Sequence, residues 1–206
     1  MSSQLLKKPA ITHVPIHDVI AQRWSPRGFD AQRPVNRMHL TALLEAARWA
    51  PSCFGDQPWR YIVWDRYTDA AGWEQAHACL TPGNQEWASQ APLLLLSLAS
   101  AVFSAKGKPN RWAQHDTGAA SENICLQATS LGLMAHQMGG FDAGKMRTLY
   151  GIPEGYVAMA MIAVGYQIEP DQLSDVLRDR ENAPRERRPL EENFFEGTWG
   201  RAVTTS

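Results

Sequence analysis

Beyond Gln167 the chain turns polar, and Pro170, Pro184 and Pro189 interrupt it, so a long helix or strand is not available there. The same stretch ends in Phe194, Phe195 and Trp199. Burying each such ring is worth roughly 1.5–3 kcal/mol, so leaving all three in water is unfavourable. Such a segment is either disordered or wrapped on another surface, and the plainer reading packs it on the body of its own chain.

The rest of the chain is long enough to supply a body. With 206 residues, 44% of them hydrophobic, one sizeable core and one domain are expected. The formal net charge is −1, so no global field draws nucleic acid or a membrane surface, although arginine is concentrated between Arg178 and Arg188. Cys53, Cys79 and Cys125 are an odd number without a CxxC pair, which argues against a disulfide framework and against a zinc knuckle, and fits a reducing cytoplasm. The most apolar run, from Pro92 to about Ala105, falls short of the ~20 residues of a membrane span, and the N-terminus lacks the apolar stretch of a signal peptide. A soluble cytoplasmic protein is expected.

Residues 1–12 have no clear period and read as a flexible lead, leaving 13–206 as a single domain with a C-terminal extension from about 168. Leu40, Leu43, Leu44, Ala47 and Ala50 follow a helical stripe that Pro51 stops, so the loop Pro51-Ser52-Cys53 hangs from a helix end. Tyr61–Trp64, Leu93–Leu96 and Val157–Val164 are short apolar runs and predict buried strands, with a buried helix left open for the leucines. Thr117 to Leu133, rich in Ala and Leu and closing near Gly132, predicts a long helix.

Neither a GxGxxG turn nor a GxxxxGK[ST] loop is present, so a phosphorylated cofactor would have to be held by side chains. Arg23 and Arg27 stand four residues apart with Ser25 between them, and guanidinium forks suit phosphate oxygens; the plainer reading is a pair of surface ion pairs. Gly139-Gly140 alone marks a turn or helix cap, and Met138 alone an ordinary core methionine. The six histidines lack metal-ligand spacing, and no GxSxG elbow accompanies a nucleophile. No metal and no catalytic side chain is assigned.

In order along the chain stand Arg23-Trp24-Ser25-Pro26-Arg27, the loop Pro51 to Trp59, Asn84, the turn Met138-Gly139-Gly140-Phe141, and Arg185-Glu186-Arg187. This order, from about Val19 to Trp199, resembles the nitroreductase family of flavoproteins. The resemblance implies an α+β fold with a mixed, largely antiparallel sheet flanked by helices, and a homodimer whose C-terminal tail packs on the partner subunit. It also implies FMN at the subunit interface, NADH or NADPH as reductant, and a small organic acceptor such as a nitroaromatic or quinone in a ping-pong cycle. Arg23 and Ser25 would bind the phosphate and ribityl side and Arg27 the pyrimidine edge, with Arg185 and Arg187 closing the phosphate site. Pro51, Ser52, Cys53 and Asn84 would contact the cofactor, and Met138, Gly139 and Gly140 would lie beside the ring. Three positions depart from the family pattern: Cys53 replaces the second Ser of the loop, Gly55 replaces a usual Asn, and Trp87 stands where Lys is frequent. The departures at Gly55 and Trp87 keep open an FMN carrier or sensor, and related flavin enzymes acting as ene-reductase, dehalogenase or dehydrogenase.

Overall fold

The computed structural model describes residues 5–204. Its centre is a four-stranded sheet of β1 (Trp59–Asp65), β2 (Leu93–Ser100), β3 (Met134–Met138) and β4 (Tyr156–Gly165), in the order β1-β2-β4-β3. Every pair is antiparallel, so within one chain no parallel strand is present among the described residues. β2 resolves the open reading of the leucine run in favour of a strand. Leu94, Leu96 and Leu98 enter one core with Trp64, Trp73 and Trp87, while Leu93 and Leu95 enter a second with Leu43, Ala120 and Ile124. A strand covered on both faces needs no polar alternation, which is why this one reads as continuous leucine.

The second core is built by α2 (Arg37–Arg48) and α5 (Ala113–Ser130), which present Leu40, Leu43, Ala47, Ala120, Ile124 and Ala128 to the sheet. Asn36 caps α2 by accepting from the His39 amide at 2.7 Å. α5 begins four residues before the expected Thr117 and ends three before Leu133. Its end is set by Gly132 at φ +70: Leu133 N–H donates to Ala128 O and Gly132 N–H to Thr129 O, a Schellman closure that needs a left-handed residue. That closure turns the chain directly into β3, an edge strand without β-branched residues that the sequence pattern did not reveal.

Five shorter helices fill the remainder: α1 (Asp18–Gln22), α3 (Ala70–His77), α4 (Pro82–Ala88), α6 (Ala143–Leu149) and α7 (Asp175–Asn182). A last turn, α8 (Leu190–Asn193), precedes Phe194. The tail therefore contains only brief elements, as its prolines require. Phe195 and Trp199 pack on each other at 4.9 Å within a small loop closed by the bridge Phe195 to Ala202. Phe194 remains 56% and Trp199 89% exposed, so the chain's own body does not cover them.

The N-terminal lead, read from sequence as flexible, is tied down from Leu6 to Ala10. Gln167 donates to Leu6 O, Ala10 N–H to Ala21 O, and Arg185 to Lys8 O. The Lys8 ammonium lies 4.7 Å over the Trp24 ring and donates to Glu181 O at 2.7 Å. Polar contacts distant in sequence hold this segment, and they leave no hydrophobic period to read.

Candidate functional site

α1 ends at Arg23, whose extended backbone carries the chain through Ser25 to Arg27. Arg23 donates to Ser25 Oγ at 3.3 Å, and its Nε lies 3.6 Å from Glu122 on α5. Arg185 arrives from the opposite end of the chain, just beyond α7, and donates to Ala21 O at 3.0 Å. Burial pushes the Arg185 guanidinium below its ordinary value, and the neighbouring Arg23 and Arg187 cations push it further. Three guanidiniums thus converge where one carboxylate, that of Glu122, makes an ion pair. A dianionic phosphate is the chemistry this donor set lacks, so the residues present fit the terminal phosphate of a flavin mononucleotide.

Arg27 is held from behind. The fully buried Glu181 of α7 accepts the Arg27 amide at 2.9 Å and the Gly28 amide at 3.3 Å. Burial raises its carboxyl above the usual range, opposed by those two amides and by the Arg27 and Lys8 charges. His136, on β3, donates from Nδ1 to Pro26 O at 2.8 Å and stacks on Trp87 at 4.3 Å. Burial holds this imidazole down at about 4, and the nearby Arg27 and Arg23 charges add to the effect, so it is neutral near pH 7. Trp87 donates to Asn84 Oδ1 at 3.2 Å, and Asn84 Nδ2 donates to Gly140 O at 3.0 Å. A continuous chain of contacts therefore joins the Arg27 segment to the Gly139-Gly140 turn.

The two glycines of that turn differ. A Cβ on Gly140 would meet Asn84 Nδ2 and Thr81 Oγ1 at 2.7 Å each, whereas a Cβ on Gly139 meets nothing within 4 Å. Close approach explains Gly140; the open side of Gly139 leaves exposed backbone that a flat ring can reach. Met138 is buried within the core beside Trp87 and Leu96, where it acts as a packing residue.

The loop after Pro51 stands apart from these groups. The Cys53 amide donates to the buried Asp116 at 2.9 Å, and Gln57 N–H donates to Ser52 Oγ at 3.0 Å. His115 Nδ1 donates to the second oxygen of Asp116 at 3.0 Å. Phe54 (φ 54), Gly55 (φ 67) and Gln57 (φ 50) are left-handed, giving a tight loop with Phe54 at its tip, 94% exposed. Asp116 and Glu122 anchor the loop and Arg23 six residues apart on α5, a rise of about 9 Å. Among the described residues no hydrogen bond joins Pro51, Ser52 or Cys53 to either the arginine cluster or the glycine turn. Cys125 is deep and burial pushes its thiol up to about 12, while Cys53 is half-buried.

The structure thus brings Arg23, Ser25 and Arg185 together, with the exposed Arg187 close enough for its charge to act on Arg185, and joins Asn84 and Gly140 to the Pro26-Arg27 segment through His136 and Trp87. Glu181, His136 and Asp116 were not singled out by sequence as holders of these groups. An acid inside the polar extension, and a histidine with no metal spacing, give no signal until burial is known. A recess of about 520 Å³ between Phe29–Gln32 and Ile168–Leu177 contains none of the expected cofactor residues. No cluster able to hold a metal ion occurs among the described residues. No helix there is long and apolar enough to cross a membrane.

The nitroreductase family model matches residues 20–166. A solved structure described as an oxidoreductase containing FMN is 33% identical, with a TM-score of 0.86 over 98% of this chain and 100% of that one. The NADH dehydrogenase of Thermus thermophilus is 28% identical over 77% of this chain and 84% of its own length. A Mycolicibacterium smegmatis protein, named only as an uncharacterized 15.4 kDa protein in ask 5′ region, is 37% identical over 44% of this chain and 60% of that protein. This chain belongs to the nitroreductase family.

Proposed function

We propose that this protein is an FMN-dependent NAD(P)H oxidoreductase that works as a homodimer. The observation that carries this reading is the convergence of Arg23, Arg185 and Arg187 with too little matching negative charge, beside a glycine turn whose outer side is open. FMN, when bound, supplies the chemistry: it accepts a hydride from the nicotinamide and passes reducing equivalents to a small organic acceptor such as a nitroaromatic or quinone.

The protein's own residues bind and orient. Arg23, Arg185 and Arg187 hold the phosphate, with the Ser25 hydroxyl as a further donor. Arg27, fixed by Glu181 and His136, is the cation placed for the pyrimidine edge. Trp87 occupies the position at which relatives often carry Lys, but it is buried and donates to Asn84, so Arg27 is left to supply the charge that stabilises a reduced anionic ring. Asn84 and Thr81 fix the Gly139-Gly140 turn, whose exposed backbone would be available to the flavin ring.

The loop Pro51-Ser52-Cys53, which makes no hydrogen bond to the arginines of its own chain among the described residues, supports a site completed by the partner's loop across the dimer. The exposed Phe194 and Trp199 support a tail that packs on the partner. No side chain need act as general acid or base.

The test is direct. The purified protein should release FMN by mass analysis and bleach with NADH or NADPH under anaerobic conditions. Recovery of FAD, or failure of the apoprotein to take up flavin, would overturn the cofactor assignment. A yellow protein that neither nucleotide bleaches would be a carrier or sensor.

A further inference from the structure

Next to the Pro51–Trp59 loop stands a small hairpin with no role so far. Val102 bridges Pro109, Phe103 N–H donates to Lys108 O at 2.8 Å, and Gly107 turns the chain at φ +59. Asp56 ties the hairpin to the loop: one oxygen accepts from the amide and hydroxyl of Ser104, and the other from Asn110 at 3.2 Å. Phe54 at the loop tip meets Phe103 edge-on at 6.0 Å. Loop and hairpin therefore form one unit.

The hairpin and its exit carry Lys106, Lys108 and Arg111, all exposed, within six positions that contain no acid. None of the three makes an ion pair among the described residues. Asp56 faces Arg60 and uses both oxygens on Ser104 and Asn110, so it is not positioned to neutralise the lysines as well. In a protein of net charge −1 this is a local concentration of positive charge. Beside it lie two exposed ring surfaces, Phe54 and the 42% exposed Trp112, over which the Arg111 guanidinium sits at 4.4 Å. Flat apolar faces next to unpaired cations suit a heteroaromatic base carrying a phosphate.

We propose that this hairpin binds the phosphorylated adenosine end of NADPH, with Lys106 and Lys108 on the 2′-phosphate, and so selects NADPH over NADH. The proposal rests on the oxidoreductase reading, in which Ser52 and Cys53 of the same loop close the flavin site. A nicotinamide at the flavin then leaves its adenosine half to be taken up at the neighbouring surface.

The experiment uses the FMN-loaded protein and 2′,5′-ADP, with 5′-ADP as the analogue lacking the 2′-phosphate. Calorimetric titration should show 2′,5′-ADP binding at least about tenfold tighter than 5′-ADP, the effect of one charge-assisted contact. In the double variant Lys106→Ala/Lys108→Ala, 2′,5′-ADP affinity and the NADPH to NADH ratio of kcat/KM should both fall about ten- to a hundredfold. Equal affinity for the two nucleotides, or an unchanged ratio in the double variant, overturns the hairpin's role while leaving the oxidoreductase reading intact. Loss of flavin reduction with both NADH and NADPH overturns that reading instead, and the titration still reports on the hairpin.

Discussion

Asn84 donates its side-chain amide to the Gly140 carbonyl at 3.0 Å, and this contact fixes which of two adjacent glycines has room for a side chain. Gly140→Ala should lower apoprotein stability, because its methyl would overlap Asn84 and Thr81. Gly139→Ala should leave apoprotein stability within about 0.5 kcal/mol, as expected of an exposed site away from packed features, yet weaken FMN binding. Thermal melts with and without FMN check the pair. Equal stability loss in both variants would remove the distinction.

The two arginine groups should separate by role. Arg23→Ala or Arg187→Ala removes a contact to phosphate worth roughly 1.5–3 kcal/mol, weakening FMN binding about ten- to a hundredfold. Saturating FMN should then restore turnover. Arg27→Ala should lower the flavin reduction potential and slow reduction even when FMN is saturating. Reduction potentials and single-turnover rates decide; full rescue of all three by FMN would place Arg27 with the phosphate ligands.

Glu181→Ala should destabilise the fold by about 2–4 kcal/mol, since it strands the Arg27 and Gly28 amides in a buried site. Glu181→Gln keeps an acceptor oxygen and should recover most of that loss. Denaturant unfolding of the two variants distinguishes a lost hydrogen-bond acceptor from a lost charge.

His136 predicts a specific pH dependence. Its folded pKa of about 4 lies below the ordinary 6.5, so between those values the unfolded chain binds more protons. Stability from this group is complete above about pH 6.5 and is lost as pH falls towards 4, by up to about 3 kcal/mol. Glu181 and Glu122, both raised by burial, act with the opposite sign, so the measurement must be a difference. Wild type minus His136→Gln, followed by denaturant midpoint from pH 7 to 4, should decline. A flat difference would show that folding does not lower the His136 pKa.

Deleting the chain from Leu190 onward should give monomer or aggregate with weakened FMN retention. Sedimentation and absorbance at the flavin band report both. A truncated protein that stays dimeric and yellow would refute tail exchange.

Much of this architecture was visible as hydrophobic periodicity: α2 from its leucine stripe, β1, β2 and β4 from short apolar runs. β3 was not, because Met134-Ala135-His136-Gln137-Met138 carries neither alternation nor β-branching, and only pairing with β4 makes it a strand. The arginines proposed to face the phosphate were singled out through the order of weak motifs. Glu181 was not, since an acid that accepts backbone amides from a distant segment looks in sequence like any solvated charge. Lys8 was hidden for the same reason: its partners lie more than 170 residues away.

Those distances bear on biogenesis. The Arg185 side chain grips the carbonyls of Lys8 and Ala21, residues 177 and 164 positions earlier. During synthesis the Lys8–Ala21 segment must wait for its Arg185 contacts until nearly the whole chain has left the ribosome. Such end-to-end contacts carry a large loop-closure entropy and form late. On the proposed phosphate assignment, cofactor loading would be tied to completion of the polypeptide, because a nascent or C-terminally nicked chain would lack Arg185.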